Sequence, residues 1–83
     1  MIPLAFVEEG SLVKVVGIRA GWGLTRRLAE LGLTEGSILK IVKSSPPGPV
    51  VVEVVNGRVS GWRVMLGFGT ATKVLVREPE VNA

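Results

Sequence analysis

The sequence predicts a small all-β protein, a strongly bent barrel of about five strands with one short helix after the first strand. Short valine-rich runs alternate with turns rich in glycine and proline along most of the 83 residues, a pattern typical of strands joined by tight connections. Only residues 24–31 place leucines on a helical period. Eleven glycines suit a sheet that bends sharply, and closing such a sheet protects edges that would otherwise pair with other chains.

Five runs of β-branched residues predict the strands. They are Ser11–Ile18, Ser37–Ser44, Val50–Val55, Arg58–Leu66 (interrupted at Gly61) and Lys73–Arg77. In the last run the two-residue period of a strand directs Val74 and Val76 inward. The dipeptide Asn56-Gly57 is the strongest hairpin signal in the chain. The segment Ser45–Pro49 is a loop, because its prolines lack N–H donors.

The helix is predicted from its leucine stripe and its end signal. The stripe is Leu24, Leu28 and Leu31, and the opposite face carries Arg26, Arg27 and Glu30. Gly32 follows the last turn, where a left-handed residue is preferred, and Leu33 can fold back on the helix as in a Schellman cap. We therefore expect a two-turn helix that covers one side of the sheet with its leucines.

The number and order of these elements favour an SH3-like barrel, with an OB-type barrel as the second choice. A chain of this length buries about 60–65% of its unfolded surface, enough for one modest core. We expect residues 1–83 to form a single domain, with residues 78–83 as a frayed tail because they are polar and contain Pro79.

The composition disfavours several classes of function. The chain contains no His, Asp, Cys or Tyr, so acid–base catalysis would depend on Glu or Lys alone, and we expect neither an enzyme nor a bound cofactor. The net charge of +3 is too mild to indicate nucleic acid by itself. No run of about 20 apolar residues predicts a membrane span, and the apolar start lacks a basic leader. We expect a cytoplasmic protein without direct membrane insertion.

Three segments resemble the FeoA family, the small ferrous iron transport protein A. They are RRLAELGLTEG at 26–36, VMLGFGTATKVLV at 64–76 and PLAFVEEGSLVKVVGI at 3–18. The resemblance runs from Pro3 to Arg77 and implies an SH3-like barrel. It also implies an accessory role beside FeoB, a membrane ferrous-iron transporter with a GTP-hydrolysing domain. A similar barrel forms the C-terminal domain of iron-dependent repressors, so the alternative is a nucleic-acid-binding or repressor-type barrel.

The sequence departs from the family pattern at NGRVSGWRVMLG, which carries about five extra residues that include Gly61, Trp62 and Arg63.

The transition-metal binding associated with the family has no physical support in the residues of this sequence. Carboxylates alone, scattered over several strands, would hold Fe²⁺ weakly.

Six residues are candidates for binding a protein partner: Trp22, Arg26, Arg27, Glu30, Trp62 and Arg63. Arginines pair well with carboxylates, and tryptophan is enriched at interface hot spots. The alternative is a solvated helix face with an Arg26–Glu30 pair, and tryptophans that cover the core. Gly67-Phe68-Gly69 is interpreted as a bend before the last strand rather than a phosphate loop. A homo-oligomer is compatible with the sequence.

Overall fold

A computed structural model describes residues 1–57 and 61–79. The strands and helices are β1 (Ile2–Pro3), a 3-10 turn (Leu4–Phe6), β2 (Leu12–Ile18), α1 (Trp22–Glu30), β3 (Ile38–Ser44), β4 (Val50–Val54), β5 (Trp62–Leu66), α2 (Phe68–Ala71) and β6 (Val74–Arg77). The strands form one antiparallel sheet in the order β1-β6-β2-β3-β4-β5. A mainly β fold with a helix after the first long strand is therefore confirmed.

Two irregularities in the strand register bend this sheet. The pairing of β2 with β6 shifts between Val15 and Gly17, and the pairing of β3 with β4 shifts between Ile41 and Lys43. An extra residue in one strand of an antiparallel pair increases the local twist and turns the strand. These two shifts thus let strands rich in β-branched residues form a strongly curved sheet.

The core is built from alternate residues of the strands. Val13 and Val15 of β2, Leu39 and Ile41 of β3, Val50, Val52 and Val54 of β4, Val64 and Leu66 of β5, and Val74 and Val76 of β6 are all buried. Val74 and Val76 are fully buried, as the two-residue period predicts. Leu28 of α1 joins this cluster at 1% exposure, whereas Leu24 and Leu31 pack against its margin and are only partly buried.

The predicted end of the helix is confirmed. Gly32 has a φ of +89°, and its N–H donates to the carbonyl of Ala29 at 3.0 Å. The N–H of Leu33 donates to the carbonyl of Leu28 at 2.9 Å, and these two bonds together define a Schellman cap. Leu33 is fully buried beside Leu28 in the same core cluster.

A serine hydroxyl holds the turn that follows the cap. Ser37 Oγ donates to the carbonyl of Gly32 at 2.9 Å and accepts the N–H of Thr34 at 3.0 Å. Ser37 is 8% exposed, so both bonds are shielded from water and contribute more than exposed ones. The turn fixes how α1 leads into β3, and hence the orientation of the outer helix face.

Two elements lie where the sequence predicted none. Leu4 and Ala5 in the 3-10 turn are fully buried, and β1 pairs with β6. A two-residue strand and a single turn are too short to produce a periodic pattern. The predicted bend at 67–69 is instead the start of α2, which is one turn long.

The β4–β5 hairpin exists, but Asn56-Gly57 is not a two-residue turn. The last strand pair is Val54 with Trp62, so the paired residues are eight positions apart in the sequence. The Asn56 side chain accepts the N–H of Ile38 at 2.8 Å and donates to the carbonyl of Gly36 at 3.1 Å. The predicted fourth strand starts at Trp62. Residues 58–60, the first three of the run predicted as this strand, lie outside the described part of the chain, as do residues 80–83 of the predicted tail.

Candidate functional site

The outer side of α1 carries an aromatic ring and two charged groups in contact with one another. Trp22 is 76% exposed, and the Cζ atom of Arg26 lies 5.3 Å from its ring centroid. The Nε atom of Arg26 lies 3.6 Å from Glu30 Oε1. Because these residues are four apart, they lie in line along one side of the helix. We call Trp22, Arg26, Arg27 and Glu30 the helix face.

Arg27 completes the helix face without a partner of its own. Its side chain is exposed, and within residues 1–57 and 61–79 it forms no hydrogen bond or ion pair. It lies in the last turn of α1, where a positive charge interacts favourably with the helix dipole. Of the two guanidinium groups on the helix face, that of Arg26 is therefore restrained by Trp22 and Glu30, whereas that of Arg27 is available to a partner.

A groove of about 490 Å³ separates the end of α1 from the β4–β5 hairpin. It is lined by Ala29, Glu30, Leu31, Gly32, Val54, Gly57 and Trp62. Trp62 is half exposed, at 50%, and lies across the groove from Glu30. The structure thus places Trp62 next to the helix face, although 32 positions separate it from Glu30 in the sequence. The groove is mainly apolar and carries one carboxylate at its rim.

Arg63 lies outside both the helix face and the groove. Its Nε atom is 3.3 Å from Glu53 Oε1 on the neighbouring strand β4, and the two residues are directly opposite each other in the sheet. Neighbouring strand residues point to opposite faces, so Arg63 lies on the outer surface of the sheet and does not line the groove. Five of the six candidate residues therefore lie along α1 or across the groove at its C-terminal end, and Arg63 does not.

Sequence reasoning missed a second concave surface near the N-terminus. A cleft of about 810 Å³ includes the exposed apolar residues Met1, Ile2, Phe6 and Leu12. Phe6 forms the edge of this region and meets Phe68 at a ring distance of 5.7 Å and an angle of 87°. No strand or helix was predicted before Ser11, so no signal in the sequence pointed to this cleft.

The described residues do not provide a site for a transition metal. The whole chain lacks His, Cys and Asp, and within residues 1–57 and 61–79 no three carboxylates lie close enough to share an ion. Zinc and iron sites in proteins use clusters of such ligands. The described residues therefore do not fit a resident metal.

The sheet also lacks the surface that single-stranded nucleic acid prefers, in which aromatic rings alternate with cations. Lys14 and Lys40 lie on the adjacent strands β2 and β3, but neither of these two strands carries an aromatic residue. Phe6 and Phe68 pack on each other, Trp22 is the first residue of α1, and Trp62 begins β5 at the edge of the sheet. Among the described helices, none is long and apolar enough to cross a membrane.

Comparison with known proteins gives one consistent result. A family model described as the FeoA domain matches residues 2–78. A Methanocaldococcus jannaschii protein, named as a candidate Fe(2+) transport protein A, is 38% identical over 80 residues, covering 96% of this chain and 90% of its own length.

Two solved structures share the fold. The crystal structure of an iron uptake regulatory protein (FeoA) is 32% identical and has a TM-score of 0.77, covering 92% of this chain and 93% of its own. The Stenotrophomonas maltophilia FeoA in complex with zinc is 24% identical, has a TM-score of 0.72, and covers 93% of this chain and 91% of its own. That protein is described as a prokaryotic SH3 domain protein, which confirms the predicted SH3-like fold class. The chain belongs to the FeoA domain family.

Proposed function

We propose that this protein is a cytoplasmic accessory of a FeoB-type ferrous iron transporter and that it acts by contact with the transporter's cytoplasmic part. Its named relative is assigned to Fe(2+) transport, and the S. maltophilia protein is described as a candidate ferrous iron transport activating factor. The role is binding without catalysis. The binding surface is the helix face together with Trp62 across the groove.

The main observation in support of this proposal is that Trp22 is exposed and that the guanidinium of Arg26 lies over its ring. A tryptophan that leaves three quarters of its surface in water, at 76%, contributes little to the core and is available to a partner. Tryptophan and arginine are the residues most enriched among interface hot spots. Here they form one unit, because the guanidinium lies over the indole ring.

The arrangement also lowers the cost of binding. Immobilising a long side chain at an interface costs about 0.5–1.5 kcal/mol, and Arg26 is already restrained between Trp22 and Glu30. The Schellman cap and the Ser37 hydrogen bonds hold α1 on the sheet. A partner therefore meets a surface whose shape is largely set before contact.

The charges indicate the chemistry of the partner surface. Arg26 and Arg27 each present a planar guanidinium that can contact a carboxylate through two hydrogen bonds. Glu30 neutralises part of the positive charge at one end. The matching surface on the transporter would be rich in Asp and Glu, with an apolar side chain to fill the groove beside Trp62.

The proposal is tested by reversing the charges of the helix face in the double variant Arg26→Glu and Arg27→Glu. Both side chains are exposed, so the variant should fold. We expect it to lose co-purification with the transporter and to reduce ferrous iron uptake in cells.

The matched control is the double variant Lys43→Glu and Lys73→Glu, which changes the net charge by the same amount at exposed positions of β3 and before β6. This control should bind and support uptake. Normal binding and uptake by the helix-face variant, or an equal loss in both variants, would contradict the proposal.

A further inference from the structure

Strand β5 forms an open edge of the sheet. The strand order places β5 last, next to β4 only. Natural edge strands are commonly protected by charged side chains, proline or a bulge, and the one charged residue of β5, Arg63, is paired with Glu53 of β4. Strand β5 has the sequence Trp-Arg-Val-Met-Leu, and its register with β4 is unbroken over five pairs. Met65 is 70% exposed on this strand. An unprotected edge of this kind accepts another strand.

The hydrogen bonds of β4 show which groups of β5 are unused. The N–H of Val55 donates to the carbonyl of Ile38 in β3 at 2.9 Å. Residues along a strand direct their N–H and C=O alternately to the two sides, so Val54, Val52 and Val50 direct theirs to β5. They lie opposite Trp62, Val64 and Leu66.

The two remaining residues of β5 are Arg63 and Met65. By the same alternation, their N–H and C=O groups point to the open edge. Among the described residues, no turn or loop bonds to them. The open edge therefore offers two donors and two acceptors, spaced for a further antiparallel strand.

We propose that two copies of this protein associate through β5, antiparallel, about a two-fold axis at Val64. In this register Arg63 of one copy lies opposite Met65 of the other, and the reverse holds by symmetry. Each such pair exchanges two backbone hydrogen bonds, so the two copies are joined by four. Two six-stranded sheets then become continuous across the axis.

Charge selects this register over its neighbours. Moving the axis to position 63 would place Arg63 directly opposite its own copy, and like charges in that position are destabilising. Moving it to position 65 would leave fewer residues of β5 paired. With the axis at Val64, all five residues of β5 are paired and the stem of Arg63 packs on Met65, while its guanidinium stays with Glu53.

The contact is small, since only one short strand of each copy takes part. It lies below the area of a standard stable interface, so the dimer is weak and depends on concentration. Sedimentation equilibrium up to about 1 mM protein therefore suits the measurement.

Two substitutions at the same exposed position should act in opposite directions. Met65→Lys places a lysine opposite Arg63 of the second copy at two symmetric places, and should weaken the dimer roughly 5- to 30-fold. Met65→Glu places a carboxylate there and should strengthen it by a similar factor. The controls for net charge are Glu35→Gln and Lys73→Gln, both at exposed sites away from β5. Neither should change the dissociation constant by more than about twofold.

Amide hydrogen exchange provides a second readout at the level of single residues. Protection of the Arg63 and Met65 amides should rise with protein concentration, while the Val64 amide stays protected throughout because it bonds to β4. A monomer at every concentration would overturn the proposal, as would a shift in the same direction for Met65→Lys and Met65→Glu. Reversing Arg26 and Arg27 should leave self-association unchanged, which separates this test from that of the helix face.

Discussion

The replacement Leu28→Ala tests whether the leucine stripe of α1 is part of the core. Leu28 is 1% exposed and belongs to the main cluster of buried residues. The change removes three carbon positions, worth about 0.8 kcal/mol each in lost burial. The cavity left behind adds to this, so the free energy of unfolding should fall by about 2–5 kcal/mol. The higher helix propensity of alanine offsets only about 0.2 kcal/mol.

The cap should survive this replacement, because it is the backbone carbonyl of Leu28 that accepts the N–H of Leu33. Urea unfolding followed by circular dichroism and tryptophan fluorescence measures the loss. The matched control is Leu12→Ala, the same chemical change at a position that is 48% exposed. It should cost less than half as much. A loss below about 0.5 kcal/mol for Leu28→Ala would refute the assignment of the leucine stripe of α1 to the core.

Three further predictions concern the cap, the hairpin and iron. Gly32→Ala should lower the free energy of unfolding by about 1–2 kcal/mol because the φ of Gly32 is +89°. Gly23→Ala, inside α1 and with open space at its Cβ, should raise it by about 0.5 kcal/mol. Equal effects of the two variants in thermal unfolding would contradict this. Asn56→Ala should cost about 1 kcal/mol by urea unfolding through its two lost bonds to Ile38 and Gly36, and an unchanged midpoint would refute their contribution. Anaerobic calorimetry should detect no tight Fe²⁺ binding, since the chain lacks His, Cys and Asp; a one-to-one isotherm at micromolar affinity would contradict this.

The long strands and the helix could be predicted because their patterns are local. Val74 and Val76 follow the two-residue period of a strand, and both are buried. Leu28 and Gly32 follow the helical stripe and its cap signal, and both occupy the predicted places. In each case the spacing of apolar residues within about ten positions decides the structure, so it can be read without knowing the rest of the chain.

The remaining elements depend on contacts between distant parts of the chain. Ile2 and Pro3 form a strand only because β6 lies beside them, and two residues carry no detectable period. Asn56 has the sequence context of a tight turn, but its side-chain amide bonds to Ile38 at the start of β3 and to Gly36 just before it, 18 and 20 positions away. Such a tertiary bond overrides the local turn preference.

The candidate site could be predicted only in part, because some of its residues follow a local pattern and others depend on contacts between distant parts of the chain. The alignment of Trp22, Arg26 and Glu30 follows from the helical period, and the structure brings these side chains into contact. The position of Trp62 across the groove depends on how the β4–β5 hairpin packs against α1. Arg63 and Trp62 are adjacent in the sequence, yet adjacent residues of a strand face opposite sides, so only Trp62 lines the groove.

The central claim is that the helix face contacts a ferrous iron transporter, and site-specific photo-cross-linking tests it most directly. A photoreactive phenylalanine is placed at Trp22 in one variant and at Leu12 in another, both exposed positions, the second in the separate N-terminal cleft. After irradiation of intact cells that express the transporter, we predict a covalent adduct with its cytoplasmic part from position 22 and none from position 12. An adduct from position 12 alone, or none from position 22 in a folded variant that supports iron uptake, would contradict the account.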